Sequence, residues 1–173
     1  GMINGAPEMF EYMAQVSRPI MGDVIPSNTG NFFYLQREPR GVCALIIPWN
    51  VPLLGACLKT ATALATGNTC VVKPPSVCSM GTLKLAEILE KLDLPTGIAN
   101  IVTGPGNTVG EALASHPSVG MVSFTGSCET GKRIMALASN TVKRVQLELG
   151  GKNPFIVLED ADLDAAIARA VTT

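Results

Sequence analysis

Histidine is nearly missing: His116 is the only one, so the sequence offers no second imidazole for a metal cluster or a proton relay. Followed by Pro117, it belongs to a surface turn and is given no role. The five cysteines, Cys43, Cys57, Cys70, Cys78 and Cys128, are an odd set without a CxxC pair. Neither a zinc ribbon nor a disulfide framework is encoded, and no metal site is expected. Charge is sparse as well. Only 16% of residues are charged, and 13 basic residues nearly balance 14 acidic ones without clustering. That leaves no stripe for nucleic acid and no polybasic patch for a membrane surface. The longest apolar stretches, Cys43 to Pro48 and Pro52 to Leu58, are too short to cross a bilayer. No basic leader with a cleavage site opens the chain, and Gly1 ahead of Met2 resembles a residue left by tag removal. The expectation is a soluble chain in a reducing cytoplasm, with small molecules or other protein chains as partners.

What is abundant is apolar side chain. With 47% hydrophobic residues in 173, the chain can build one core but not two full domains. The excess predicts that some surface meets another chain. Met9, Met13, Val16 and Ile20 recur at helical spacing and predict a helix over Pro7 to Met21. Asn31 to Glu38, bounded by the turn residues Ser27 to Gly30 and by Pro39, predicts a strand that lacks an evident partner.

From Gly41 onward, short β-rich runs alternate with helical segments. ALIIPW precedes a helix to Ala65, TCVVK a helix to Leu92, and IANIVTG a helix to Ser115. GMVSFTG leads into Glu129 to Ala138, and VKRVQLELG leads through NPFIVL to a helix over Asp162 to Val171. The runs are continuously apolar rather than alternating, which predicts a doubly wound α/β domain with a Rossmann-like parallel sheet covered on both faces. The expected organisation is an N-terminal helical segment (1–30), a β arm (31–40) and this α/β domain (41–173). Ligands of such sheets sit beyond the carboxyl ends of the strands, so the residues there carry the most information.

Gly104, Gly106 and Gly110 follow the third run in GPGNTVG, but their spacing departs from GxGxxG and the second run ends in Lys73 rather than an acid. After the fourth run, Phe124, Thr125, Gly126 and Ser127 lead into a helix; backbone N–H groups there can approach a phosphate, and Ser127 can equally be a plain cap. Asn50 ends Pro48-Trp49-Asn50 at a strand's carboxyl end, where a side-chain amide can donate to an oxyanion or simply shape a turn. Glu148 in LELGGK is a general base if apolar surroundings disfavour its charge, or a solvated carboxylate if they do not.

PWN, ALATGN, VVKP, GPGNTVG, SFTGS and LELGGKNP stand in one order, and from about Glu8 onward the sequence resembles the aldehyde dehydrogenase superfamily. The resemblance implies oxidation of an aldehyde to a carboxylic acid with NAD or NADP, through a cysteine thioester. Asn50 matches the oxyanion-stabilising asparagine, Glu148 the base that activates water for deacylation, and Lys59 a supporting lysine of the active site. Lys73 matches the lysine holding the adenosine ribose, Ser127 the serine touching the pyrophosphate, and Gly106 a glycine beside the adenine. Ile46 and Trp49 line the cofactor cleft, Gly110, Phe124 and Gly126 belong to the same site, and Leu149 and Gly150 lie near the nicotinamide. Ser76 stands where NAD-preferring members carry glutamate, which removes a charge that would repel a 2′-phosphate and predicts tolerance of NADP.

The family's nucleophile follows Glu148 in a GQxC context, about two or three helical turns beyond Thr173. None of the five cysteines stands in that context. Cys128, at a predicted helix N-terminus, is a minor substitute without a neighbouring base. The chain alone is therefore expected to be inactive. The alternative is a non-catalytic nucleotide-binding or assembly module. The arm implies a homo-oligomer, most simply a dimer.

Overall fold

The computed structural model describes residues 3–172. Five strands form one parallel sheet: β3 (Val42–Ile46), β4 (Thr69–Lys73), β5 (Ala99–Ile101), β6 (Val119–Gly126) and β7 (Arg144–Leu149), in the order β5-β4-β3-β6-β7. The chain starts in the middle, builds outward through β4 and β5, then returns to the other side of β3 to lay down β6 and β7. Between strands run α2 (Pro52–Ala65), α3 (Met80–Glu90), a π-helical turn (Gly106–Gly110) continuing into α4 (Glu111–Ser115), and α5 (Cys128–Ser139). Pro52 begins α2, where its missing N–H has no intrahelical partner to lose.

β3 divides the core. Cys43, Leu45 and Ile47 pack on one side against Ala56, Cys57 and Ala63 of α2 and Leu85 of α3. Ala44 and Ile46 face the other way, with Val122, Phe124, Ala114 of α4 and Ile134 of α5. The doubly wound α/β class expected from the apolar runs is thus observed. Val72 and Val122 are fully buried, each contributing about 1.5 to 3 kcal/mol of transfer free energy. Asn68 locks the start of the sheet: its Oδ1 accepts from the N–H of Arg40 at 2.6 Å and of Gly41 at 3.1 Å, while Nδ2 donates to Thr66 Oγ1 at 2.8 Å.

The N-terminal elements differ from expectation in extent. α1 spans Gly5–Val16 rather than reaching Met21, because Pro19 disfavours helix in the residue before it. Ala6, Met9 and Phe10 pack against the α2 side of the core. The arm is a hairpin, not a lone strand: β1 (Asp23–Ile25) pairs antiparallel with β2 (Phe33–Leu35). Residues 153–158 form no strand, and Phe155, Ile156 and Leu158 are exposed. α6 (Leu163–Thr172) follows, capped by Asp162, whose Oδ1 accepts from the N–H groups of Asp164 and Ala165 at 3.0 and 3.1 Å. Among the described residues no helix is long and apolar enough to cross a membrane.

Val142, in the turn between α5 and β7, has φ of 51° and is 90% exposed. A β-branched residue is strained in this region and gains nothing from burial there. Val142→Gly is expected to raise the unfolding free energy by about 0.5 to 1 kcal/mol, the left-handed penalty less glycine's entropy cost. Urea denaturation checks this; an unchanged or lower midpoint would contradict the strain.

Candidate active site and nucleotide cleft

Reversal of strand order between β3 and β6 opens a crevice at their carboxyl ends. On the α4 and α5 side it is a cleft of about 480 Å³, whose lining includes Ile46, Gly106, Gly110, Phe124 and Ile134. Ile46, Gly106, Gly110 and Phe124, all picked from sequence, meet there. Lys73, at the end of β4, lies beneath Gly110, where a Cβ would stand 3.8 Å from its Cδ. Lys73 is buried, and its Nζ donates to the Pro74 carbonyl at 3.0 Å. Burial pushes its pKa below the ordinary lysine range. An ammonium has three donors, so further donors of Lys73 remain for a ligand's hydroxyl groups. Ser76 Oγ donates to the Gly104 carbonyl at 3.0 Å, tying the loop after β4 to the loop after β5.

Tight packing fixes the start of α5. A Cβ on Gly126 would lie 2.4 Å from the Phe124 ring, and one on Gly131 would lie 2.7 Å from Leu149 Cδ2. A side chain at either position would require the Phe124 ring or the Leu149 side chain to shift. Ser127 caps the helix, its Oγ accepting from the Thr130 N–H at 3.2 Å. The N–H groups of Cys128 and Glu129 stand in the first turn, where the helix provides no carbonyl for them. Gly150 N–H donates to the Gly126 carbonyl at 3.1 Å, which joins the ends of β6 and β7 and brings Leu149 and Gly150 beside α5. Cys128 Sγ donates to the Gly150 carbonyl at 3.4 Å, on the same rim.

Lys59 and Glu148 lie on the opposite face of the sheet. Both line a groove of about 410 Å³ between α2 and strands β3, β6 and β7, together with Pro48, Val51, Met121 and Thr125. Nζ of Lys59 is buried and has no hydrogen-bond partner. Burial lowers its pKa from 10.5 to about 8, with the Glu148 charge acting in the opposite direction. Glu148 itself is exposed at the end of β7; the apolar surroundings that would disfavour its charge are not supplied by the described residues. Asn50 and Trp49 sit on the exposed turn after β3 and line neither cavity, though the Trp49 carbonyl accepts from Cys78 Sγ at 3.2 Å.

Sequence reasoning missed one feature of the cleft. Glu111 on α4 and Arg133 on α5, both lining residues, form a bidentate ion pair with Nε to Oε1 at 2.5 Å and Nη2 to Oε2 at 2.8 Å. The two are far apart in sequence and obey no motif, so only the packing of α4 beside α5 brings them together.

A parallel sheet with a cleft at its strand reversal, walled by glycine-bearing turns and a capped helix start, is the architecture of doubly wound α/β domains that bind ligands beyond the carboxyl ends of their strands. The comparisons narrow this. The aldehyde dehydrogenase family model matches residues 1–173. Betaine aldehyde dehydrogenase of Bacillus subtilis (strain 168) is 48% identical over 164 residues, 94% of this chain and 34% of its own length. The crystal structure of betaine aldehyde dehydrogenase from Staphylococcus aureus in complex with NAD+ superimposes with a TM-score of 0.95 at 40% identity, over 99% of this chain and 34% of that one. An NADP-dependent enzyme from E. coli gives 0.94 at 41% identity, over 99% and 36%. The chain belongs to the aldehyde dehydrogenase family, and it spans about a third of the length of these relatives.

The lowered pKa of Lys59 has a pH signature. Between about 8 and 10.5 the unfolded Lys59 binds the proton and the folded one does not, so the Lys59 contribution to stability rises with pH across that window, against the opposite contribution of the buried thiols, whose pKa values burial raises. Lys59→Met is expected to stabilise the chain at pH 7 and to make its stability rise less with pH than that of the unaltered chain. Denaturant titrations from pH 7 to 10.5 decide it; a Lys59→Met variant less stable at pH 7 would mean that the buried ammonium is well compensated.

Proposed function

We propose that this chain is the nucleotide-binding part of an NAD(P)-dependent aldehyde dehydrogenase, which oxidises an aldehyde to a carboxylic acid. The observation that carries the proposal is the meeting of Ile46, Gly106, Gly110 and Phe124 in one cleft, with Lys73 at its edge. The residues fit the cofactor. Apolar walls suit a purine face, the open donors of Lys73 suit ribose hydroxyls, and the first turn of α5 suits a pyrophosphate. A bound nicotinamide nucleotide supplies the hydride acceptor. Leu149 and Gly150, which the hydrogen bond from Gly150 N–H to the Gly126 carbonyl brings beside the start of α5, lie near its nicotinamide end.

On the other face, Glu148 holds and releases the proton of the water that completes hydrolysis. Lys59 lies within reach of the Glu148 charge, which opposes the lowering of the lysine's pKa by burial. Asn50 donates its side-chain amide to the substrate oxygen. The presence of Glu148 in LELGG favours hydrolysis over transfer of the acyl group to a thiol. No cysteine of these 173 residues stands in GQxC, so this chain by itself binds cofactor without turning aldehyde over. A binding or assembly module is the alternative, and it leaves the joint presence of Asn50 and Glu148 without a use.

Ser76 sets the cofactor preference. NADP+ is expected to bind at least as tightly as NAD+, and Ser76→Glu to shift the ratio toward NAD+ by about tenfold, the worth of one charge-assisted hydrogen bond. Calorimetric titration of both nucleotides, with Ser76→Ala as control for the lost bond to Gly104, measures it. A clear NAD+ preference in the unaltered chain would refute the assignment to NADP.

The hairpin is the proposed oligomerisation arm. Phe32, Phe33, Tyr34 and Leu35 are all exposed, as are Val24 and Ile25. β1 and β2 pair only with each other among the described residues, so each leaves an edge open to strand addition. A dimer through this arm is expected at micromolar concentration. Light scattering over a dilution series tests it, with Phe33 and Leu35 both changed to Lys expected to give monomers. Association that survives this change would move the interface elsewhere.

A further inference from the structure

The ion pair at the rim of the α4–α5 cleft has no part in the scheme above. It is exposed, with 64% of the Arg133 side chain and 28% of the Glu111 side chain accessible. A pair this open contributes at most modestly to stability, its bidentate geometry placing it at the upper end of that range. Its position is more informative. The Arg133 hydrogen bonds hold the Glu111 carboxyl below the usual carboxylate range, so it is ionised at neutral pH. Arg133 lies six residues along α5 from Ser127, a rise of about 9 Å at 1.5 Å per residue. That is comparable to the Debye length of about 8 Å at physiological ionic strength. An uncompensated carboxylate there would act on a phosphate held at the start of α5.

We propose that Arg133, fixed in plane by Glu111, is the residue that fits this cleft to an adenine nucleotide. Arg133 cancels the charge of Glu111, which would otherwise repel the phosphates. It also adds a planar guanidinium to a lining whose apolar part is Ile46, Phe124, Ile134 and Leu137. Guanidinium groups stack on flat aromatic faces, and two of the Arg133 nitrogens are already held by the carboxylate. The group is therefore ordered before a base arrives, and little rotamer freedom is lost on binding. This rests on the assignment of the cleft to the adenosine end of the cofactor.

The two partners make opposite predictions. Titration calorimetry with AMP, NADP+ and nicotinamide mononucleotide, on the full 173-residue chain, separates them. Arg133→Met is expected to weaken AMP and NADP+ about tenfold, through lost charge and lost stacking, with the mononucleotide that lacks adenine much less affected. Glu111→Gln should tighten AMP and NADP+ about twofold at low salt, the effect of removing one charge on the order of 10 Å from an anion in water. The gap between the variants should close at high salt. Arg133→Lys, which keeps the charge without the planar fork, should fall between wild type and Arg133→Met; thermal melts establish that each variant is folded. Equal weakening by both partners' substitutions would mean that the pair only clamps α4 to α5 and would overturn the proposal, as would unchanged affinity in Arg133→Met. Failure of the unaltered chain to bind either AMP or NADP+ would remove the cleft assignment itself, and this inference with it.

Discussion

β3 is buried on both faces, and its neighbours β4 and β6 carry the chain in opposite directions across the sheet. Because successive side chains of a strand point to opposite faces, this one strand feeds two cavities. Ile46 enters the cleft on the α4 and α5 side, while Cys43 and Leu45 enter the groove beside α2. β6 repeats the division, with Phe124 in the cleft and Ser123 and Thr125 in the groove. The sheet is thus a partition. Residues matched to cofactor binding lie mainly on one side, and Lys59 and Glu148 lie on the other. The free carboxyl ends of the strands are where the two sides can communicate.

Charge is rationed in this chain, so each buried or paired ion is informative. Lys73 and Lys59 are both pushed below the ordinary lysine range by burial, one beneath Gly110 beside the α4–α5 cleft and one in the groove. Lys73 is partly satisfied by the Pro74 carbonyl, whereas Nζ of Lys59 has no partner. A buried ammonium without a partner is costly, and it is placed where a carboxylate, a water or a substrate oxygen can answer it. The Glu111–Arg133 pair is the reverse case, two charges that answer each other at a partly exposed rim.

Much of this architecture was legible because β3, β4 and β6 are continuous apolar runs, which a sheet covered on both faces demands. The carboxyl ends of those runs then pointed to Lys73, Phe124 and Ser127 without any knowledge of packing. The hairpin partner was not legible: Asp23–Ile25 is three residues long and followed by Pro26, too short to show a period. The π-helical turn at Gly106–Gly110 explains why the glycines there miss the usual dinucleotide spacing; the turn has its own geometry. Sequence could suggest an apolar setting for Glu148 but could not show that β7 is an edge strand, which leaves the carboxylate exposed. Nor could it show that Glu111 meets Arg133, since that contact depends on two helices packing side by side.

The claim on which the rest depends is that a nicotinamide nucleotide occupies the α4–α5 side of the sheet. Hydrogen exchange with and without saturating NADP+ tests it directly. The account predicts slowed exchange in residues 106–111 and 126–134, with residues 52–65 of α2 unchanged. Protection confined to α2, or none anywhere despite measured binding, would contradict it.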